Sequence, residues 1–367
     1  MVDQLSVSLS QGSELYARIR AASVEGIYIY GAGFVGSWAV SYLEKLGMPV
    51  IGFIDSDLKK QGCIVSGKPV LGLDDPGARS AKVILIGSRH AVPSIENVLA
   101  NSSALIMSVD AFVVHQQGRE EIDRLEALFS NDQQSLKTVQ AILLSMLEGT
   151  TRPLSDFADN KPFFDKFGFF NRDGEIFVDA GAYVGDSIER FLWSVNGVFK
   201  HIHAFEPGLT QYQAMTKRVD RLIAEWALVP EKISLINKGL SDAVRSVEIK
   251  SGSHLIQTRI DQMSAADGTE DSSVFVNTIS LDEYFGGDAF TFLKVDIEGS
   301  ETAMLNGAIN SIRKWRPRIA LSVYHYPIDI FELPNKCFNL NPDYNFALSH
   351  HSSQLMDTVL YCRDKND

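Results

Sequence analysis

Three groups of residues in this chain have the types and spacing that chemistry requires. The first is Gly31-Ala32-Gly33-Phe34-Val35-Gly36, a G-x-G-x-x-G run, with Asp55 lying 19 residues past its last glycine. Glycines so spaced permit a tight turn and close backbone approach to a phosphate, while helix N–H groups face the anion. An acid about 20 residues further on suits a ribose hydroxyl. The second group is the D-x-G-x-x-x-G run of Asp179, Gly181 and Gly185, with Glu206 placed 21 residues after Gly185. A glycine turn followed by an acid again suits a ribose, whose two hydroxyls donate to one carboxylate. An acid at the strand-end turn, Asp179, favours a cationic ligand over a pyrophosphate. S-adenosylmethionine carries a sulfonium and an ammonium, and is expected on Asp179, Gly181, Tyr183, Gly185, Asp186 and Glu206.

The third group is Phe292-Leu293-Lys294-Val295-Asp296-Ile297-Glu298-Gly299. Period two puts Lys294, Asp296 and Glu298 on one face of a strand. In a strand covered on both faces, three ionisable groups in line are costly unless paired or functional. Asp296 and Glu298 are placed at the carboxyl end, where open α/β sheets bind ligands, and His325 follows the next strand at the same edge. Asp296, Glu298 and His325 are therefore the expected catalytic set, with Asp296 or His325 as base. No metal is assigned, because two carboxylates underdetermine a site. Each group also has a plainer account. The glycines of the first pack a helix on its strand, those of the second form a βα turn with surface acids, and Lys294 forms an ion pair beside a helix opened by Glu298.

Strands and helices must alternate to position these groups. Ile27–Tyr30, Val50–Ile54, Val83–Ile86 and Leu105–Ser108 read as strands, with helices over Val35–Leu46 and Ile95–Ala100. From Arg119 to Leu147 apolar residues fall at helical spacing without Gly or Pro, with a break near Ser130–Gln133. A second alternation follows in strands Ile176–Asp179, His201–Phe205, Ile233–Ile236, Thr291–Asp296 and Arg318–Val323. Its helices are Gly185–Trp193, Tyr212–Trp226 and Ala303–Trp315, and Asn345–Ser349 and Thr358–Cys362 form an antiparallel pair. Ser264–Ser273 reads as an exposed loop. The fold class is α/β: two doubly wound domains, an N-terminal Rossmann-like parallel sheet and a second sheet, joined by helices. The expected divisions are 1–115, a helical linker over 116–155, and 156–367.

The composition is that of a globular protein, 45% apolar and 22% charged. With 34 Lys+Arg against 46 Asp+Glu the net charge is −12, which argues against nucleic acid, since phosphate neutralisation needs a basic surface. Cys63, Cys337 and Cys362 lie far apart in sequence and form no C-x-x-C pair, so neither a disulfide framework nor a zinc site is indicated. Gly26–Leu43 is uncharged for 18 residues, but its glycines and change of periodicity read as strand–turn–helix rather than a membrane span. No signal peptide is read at the N-terminus, and a soluble, cytoplasmic protein is the expectation.

Two resemblances follow from these residues. Gly31–Gly36, Val50–Asp55 and Gly67–Gly72, within about 24–110, resemble the nucleotide-sugar-binding domain at the front of bacterial sugar acyltransferases. That implies a nucleotide or sugar-nucleotide ligand near Gly31, Gly33, Gly36 and Asp55. Phe177–Asp186, His203–Pro207, Lys294–Gly299, Tyr324–Pro327, Glu332–Pro334, Asn341–Tyr344 and His350–His351 together resemble FkbM-type methyltransferases over about 160–362. Ser349 departs from the pattern, standing where a basic residue is expected. The resemblance implies the class I methyltransferase fold, a seven-stranded sheet with its last strand antiparallel, together with S-adenosylmethionine and a hydroxyl acceptor on a sugar or glycan precursor. The expectation is an O-methyltransferase. The alternatives are an NAD-dependent oxidoreductase or a sugar-nucleotide-binding module run by the first domain. His90 and His115 stand isolated for the former, and the oligomeric state is left open.

Overall fold

The computed structural model describes residues 2–157, 163–164, 174–249 and 274–366. Two compact units divide the chain. One comprises Met1–Ala158, Tyr324–Phe331 and Ser352–Asp357, the other Asp159–Val323, Glu332–His351 and Thr358–Asp367.

The first unit is built on strands β1 (Ile27–Tyr30), β2 (Val50–Ile54), β3 (Ile64–Val65), β4 (Lys68–Leu71), β5 (Val83–Ile86) and β6 (Leu105–Ser108), in the order β3-β4-β2-β1-β5-β6. All pairings are parallel except that of β3 with β4. Every residue of β5 is buried, as a run of Val, Ile, Leu and Ile in mid-sheet must be. Tyr30, Ile54, Ile84, Ile86, Ile95 and Leu99 form one side of the core. Three helices that follow or precede the sheet belong to this unit: Val2–Ala22, Val109–Leu128 and Gln133–Glu148. The second starts ten residues before the expected Arg119 because Ser108 caps it, its hydroxyl accepting from the Ala111 N–H at 3.0 Å. Gly118, at φ 72°, interrupts it, which is why helical periodicity in the sequence is cleanest beyond that point. Asp132 caps the third helix and Gly149, in the left-handed region, ends it.

The second unit holds β7 (Ile176–Ala180), β8 (His201–Phe205), β9 (Ile233–Ile236), β10 (Gly239–Leu240), β11 (Arg245–Ile249), β12 (Val274–Ile279), β13 (Phe292–Val295), β14 (Arg318–Ser322), β15 (Tyr344–His350) and β16 (Thr358–Asp364). Seven of them make one sheet, ordered β15-β16-β14-β13-β7-β8-β9, with β16 antiparallel to both neighbours. This is the expected class I arrangement. β10, β12 and β11 form a separate three-stranded sheet that the sequence reading did not foresee. Phe177, Phe191 and Phe292 stack at 4.4 and 5.1 Å in the core beneath β7 and β13. The loop expected over Ser264–Ser273 lies outside the described residues.

The helix expected over Ala303–Trp315 is two, Glu301–Asn306 and Ile309–Trp315, divided at Gly307 and Ala308. A Cβ on Gly307 would stand 2.1 Å from the Ser241 carbonyl oxygen, so this break lets the chain pass close to the strand β10 edge. Among the described residues no helix is long and apolar enough to cross a membrane, and Gly26–Leu43 resolves into β1 and the helix Phe34–Lys45.

Candidate active site

The strand order of the large sheet reverses between β7 and β13, and a crevice at such a point, outside the carboxyl ends of the strands, is where open α/β sheets take ligands. A cavity of ≈ 430 Å³ opens there, lined among others by Gly181, Tyr183, Glu206, Asp296 and Glu298. Its size is that of a small-molecule site.

The turn after β7 is fixed by close contacts. Gly181 and Ala182 donate to the Phe205 carbonyl at 3.1 and 2.9 Å, folding the turn toward β8. Asp296 donates its N–H to Ala180, and a Cβ on Gly181 would sit 1.9 Å from the Asp296 carbonyl oxygen. Gly181 also has φ +79°, so both the turn and the approach of the next strand require glycine. Glu206 follows β8 and fastens the turn after β7 to its own loop. Its Oε2 accepts from the Tyr183 N–H at 2.9 Å and its Oε1 from the Gly208 N–H at 2.8 Å. Asn237 donates to the carbonyls of Glu206 and Pro207 from the end of β9. Tyr183 and Glu298 both line the cavity with φ near +50°, a region that residues with side chains rarely occupy and that clusters at functional sites.

The strand β13 ends at Val295, earlier than expected, so Asp296 and Glu298 stand in the turn beyond it and not on its polar face. Ile297 donates its N–H to Glu301 at 3.1 Å, which fastens that turn to the helix Glu301–Asn306. Lys294, the one ionisable residue left within the strand, is buried. Its Nζ lies 3.0 Å from Asp179 Oδ1 and donates to the Gly181 carbonyl at 2.7 Å. Lys294 and Asp179 are direct neighbours across β13 and β7. Burial alone would lower the lysine's pKa, but the carboxylates of Asp179 and Asp296 outweigh it and hold the ammonium above its usual range.

Of the six expected cofactor residues, Gly181, Tyr183 and Glu206 line the cavity. Asp179 does not. It is fully buried under the turn, where Ser187 donates to it and Lys294 neutralises it, so it braces the turn from below. Gly185 and Asp186 open the helix Asp186–Ser194 and lie outside the lining. Of the expected catalytic set, Asp296 and Glu298 line the cavity. His325 is buried in Tyr324–Phe331, a segment grouped with the first unit, with its ring 4.2 Å from that of Tyr324.

Sequence reasoning missed the far wall of the cavity, which includes Lys238, Leu240, Arg245, Val276 and Thr278. All but Lys238, which precedes β10, come from the three-stranded sheet, whose short strands carry no motif. Arg245 pairs with Asp242 at 2.5 Å, so Glu206, Asp296 and Glu298 outnumber Lys238 among the remaining charges and the cavity is acidic.

In the first unit, the turn Gly31–Gly36 has the geometry its glycines require. Gly31 has φ +99°, a Cβ on Gly36 would meet the Gly31 carbonyl oxygen at 2.0 Å, and a Cβ on Gly33 would meet nothing within 4 Å. Asp55 is not a solvated loop acid. It is buried, accepting from the Ala32 N–H at 2.9 Å and the Asp57 N–H at 2.9 Å, with Lys60 at 3.3 Å. His115 stacks on Tyr16 at 5.6 Å within the helical layer, and burial lowers its pKa.

No curated protein matches the chain in sequence. Among solved structures, a methyltransferase FkbM from Methylobacillus flagellatus KT is similar over 99% of each chain, at 21% identity and a TM-score of 0.58. An rRNA methylase from Streptococcus thermophilus is similar over 52% of this chain and 87% of its own, at 14% identity and a TM-score of 0.32. A Streptococcus mutans protein solved in complex with SAH is similar over 57% and 92%, at 13% and 0.28. The family model of the methyltransferase FkbM domain matches residues 179–351. That stretch begins within β7 and spans the strands that frame the cavity. Residues 179–351 are therefore similar to the methyltransferase FkbM domain.

Proposed function

We propose that this chain is an S-adenosylmethionine-dependent O-methyltransferase whose acceptor is a hydroxyl of a sugar or glycan precursor. The observation that carries the reading is the acidic cavity at the reversal of strand order, with Glu206 held on its lining by the Tyr183 and Gly208 N–H groups. Bound there, the cofactor would supply an electrophilic methyl group on a sulfonium. Glu206 would accept from the ribose hydroxyls, and the carboxylates on the walls suit the cofactor's two cationic groups. The close approach of Gly181 to Asp296 brings the cofactor turn and the catalytic turn together.

Methyl transfer to oxygen is an in-line displacement, so the protein must hold the acceptor in line and accept its proton as the new bond forms. Asp296 takes that proton and Glu298 orients the acceptor. The test is turnover of S-adenosylmethionine by the full chain against a panel of free sugars, UDP-sugars and short glycans, with product mapping. Methylation at oxygen supports the reading, whereas methylation only at nitrogen or carbon, or no turnover across the panel, counts against it.

A second reading concerns the first unit, where a nucleotide-containing ligand such as a UDP-sugar would occupy Gly31–Gly36. Open space at Gly33 supports it, together with the strand order that reverses beside β1. Asp55 would then shape the turn through Ala32 while presenting a remaining lone pair to the ribose.

A further inference from the structure

We infer that Lys294 is a positioning residue for the cofactor, holding the peptide that joins Gly181, on the cavity lining, to Ala182; this rests on the reading in which that cavity takes S-adenosylmethionine.

The backbone donors of the turn after β7 are already engaged. The N–H groups of Gly181 and Ala182 both go to the Phe205 carbonyl, that of Tyr183 to Glu206, and that of Gly185 to the Ala182 carbonyl at 2.7 Å. With those donors used inside the protein, the turn is no cradle for a phosphate. It acts on a ligand through its shape and through Glu206, so whatever fixes the shape bears on affinity.

The turn's carbonyls are held from β13 and the residues just beyond it. The Asp296 N–H donates to the Ala180 carbonyl at 3.0 Å, and Lys294 Nζ donates to the next carbonyl, that of Gly181, at 2.7 Å. The Gly181 carbonyl and the Ala182 N–H belong to one rigid peptide plane. Lys294 holds its oxygen and Phe205 holds its hydrogen, from the two strands that flank β7. The next N–H along the chain, that of Tyr183, is the one that fastens Glu206 Oε2. A peptide free to swing here would carry that N–H away from Glu206, and with it the acceptor for the ribose.

Lys294 is built for this bond. It is buried, Asp179 Oδ1 balances its charge at 3.0 Å, and the ring of Phe163 lies 5.3 Å from Nζ. An ammonium has three donors, so it serves the carboxylate and the carbonyl at once. Were the pair there for packing alone, apolar residues of similar volume would do as well, since replacing a buried ion pair in that way is often neutral or stabilising. The bond to the Gly181 carbonyl is what apolar residues cannot replace.

Lys294→Met alone would strand Asp179, which mixes positioning with folding. The informative variant is Lys294→Met with Asp179→Asn, and Lys294→Met with Asp179→Leu serves as a second version should the amide unsettle the core. Both are compared with wild type and with Ser187→Ala, which also removes a partner of Asp179 but leaves Lys294 on Gly181. Calorimetry reads affinity for S-adenosylmethionine, and hydrogen exchange by mass spectrometry reads the amides of 181–185 in the full-length protein without ligand. The double variant is expected to melt close to wild type, to bind about tenfold more weakly through loss of a charged hydrogen bond, and to exchange those amides several-fold faster. Ser187→Ala is expected to match wild type in both readouts. Wild-type exchange or wild-type affinity in the double variant would overturn the positioning role. Equal losses in Ser187→Ala would overturn it as well, by assigning the effect to Asp179. A wild type that binds no S-adenosylmethionine would refute the reading of the cavity, whereas the exchange arm would still decide whether Lys294 holds the turn.

Discussion

Asp296 and Asp179 look alike in the sequence, each an acid at the end of an apolar strand, and the structure gives them opposite work. Asp296 lines the cavity, so Asp296→Asn is expected to lower turnover by ~10²–10⁴-fold while affinity for S-adenosylmethionine, read by calorimetry, stays near wild type. Near wild-type turnover in the variant would remove Asp296 as the base. Asp179 braces the turn through Lys294, so Lys294→Met should destabilise the fold by roughly 3–5 kcal/mol by stranding a buried carboxylate. Adding Asp179→Asn should restore much of that loss in a denaturant melt, and a double variant no more stable than Lys294→Met would contradict the bracing role. Asp179 could not be told from a ligand contact in the sequence, because its neutralising partner lies 115 residues away. The place of Glu206 just past β8 was legible, from the strand that follows the glycine turn.

Strands of the two large sheets with apolar runs were legible, and β1, β2, β5, β6, β8 and β9 fall where the pattern puts them. Short edge elements were not. β3 and β4 meet through Ser66 and Gly67, both at positive φ, a hairpin turn that the run Gly67–Gly72 hid within a family resemblance. β10 to β12 owe their existence to pairing with one another and not to any periodicity of their own, and they carry the missed wall of the site. The strand β8 also carries a pH dependence. Burial, with His201 stacked at 4.2 Å, lowers the pKa of His203 to about 4, and His203 Nδ1 is 3.0 Å from the Tyr284 hydroxyl. The unfolded chain would bind a proton there near the ordinary histidine pKa, and the folded one only near 4. Stability is therefore full at neutral pH and is lost as pH falls from ~6.5 toward 4. The melting temperature of His203→Gln should fall less steeply across that window than that of wild type, and parallel curves would contradict this origin.

At the level of the chain as a whole, the two large sheets were foreseen, whereas the helix Val2–Ala22 was not, since its mixed polar pattern gives a weak apolar face. The two units allow the two proposed ligands to be tested apart in one full-length protein. Gly33→Val places a side chain in the open space above the first glycine turn, so it should abolish any rise in melting temperature given by UDP-sugars, NAD or coenzyme A. If none of the three shifts the melting temperature of wild type, the first unit is a structural or docking element and not a nucleotide site. The cavity at β7 and β13 should be indifferent to that substitution. Calorimetric titration of the full-length protein with S-adenosylmethionine tests the proposed cofactor most directly. One-to-one binding is expected in wild type and in Gly33→Val, weakened in Glu206→Ala by ~1–3 kcal/mol through loss of the ribose acceptor. Absence of binding by wild type, or equal affinity in Glu206→Ala, would contradict the assignment of this cavity to the cofactor.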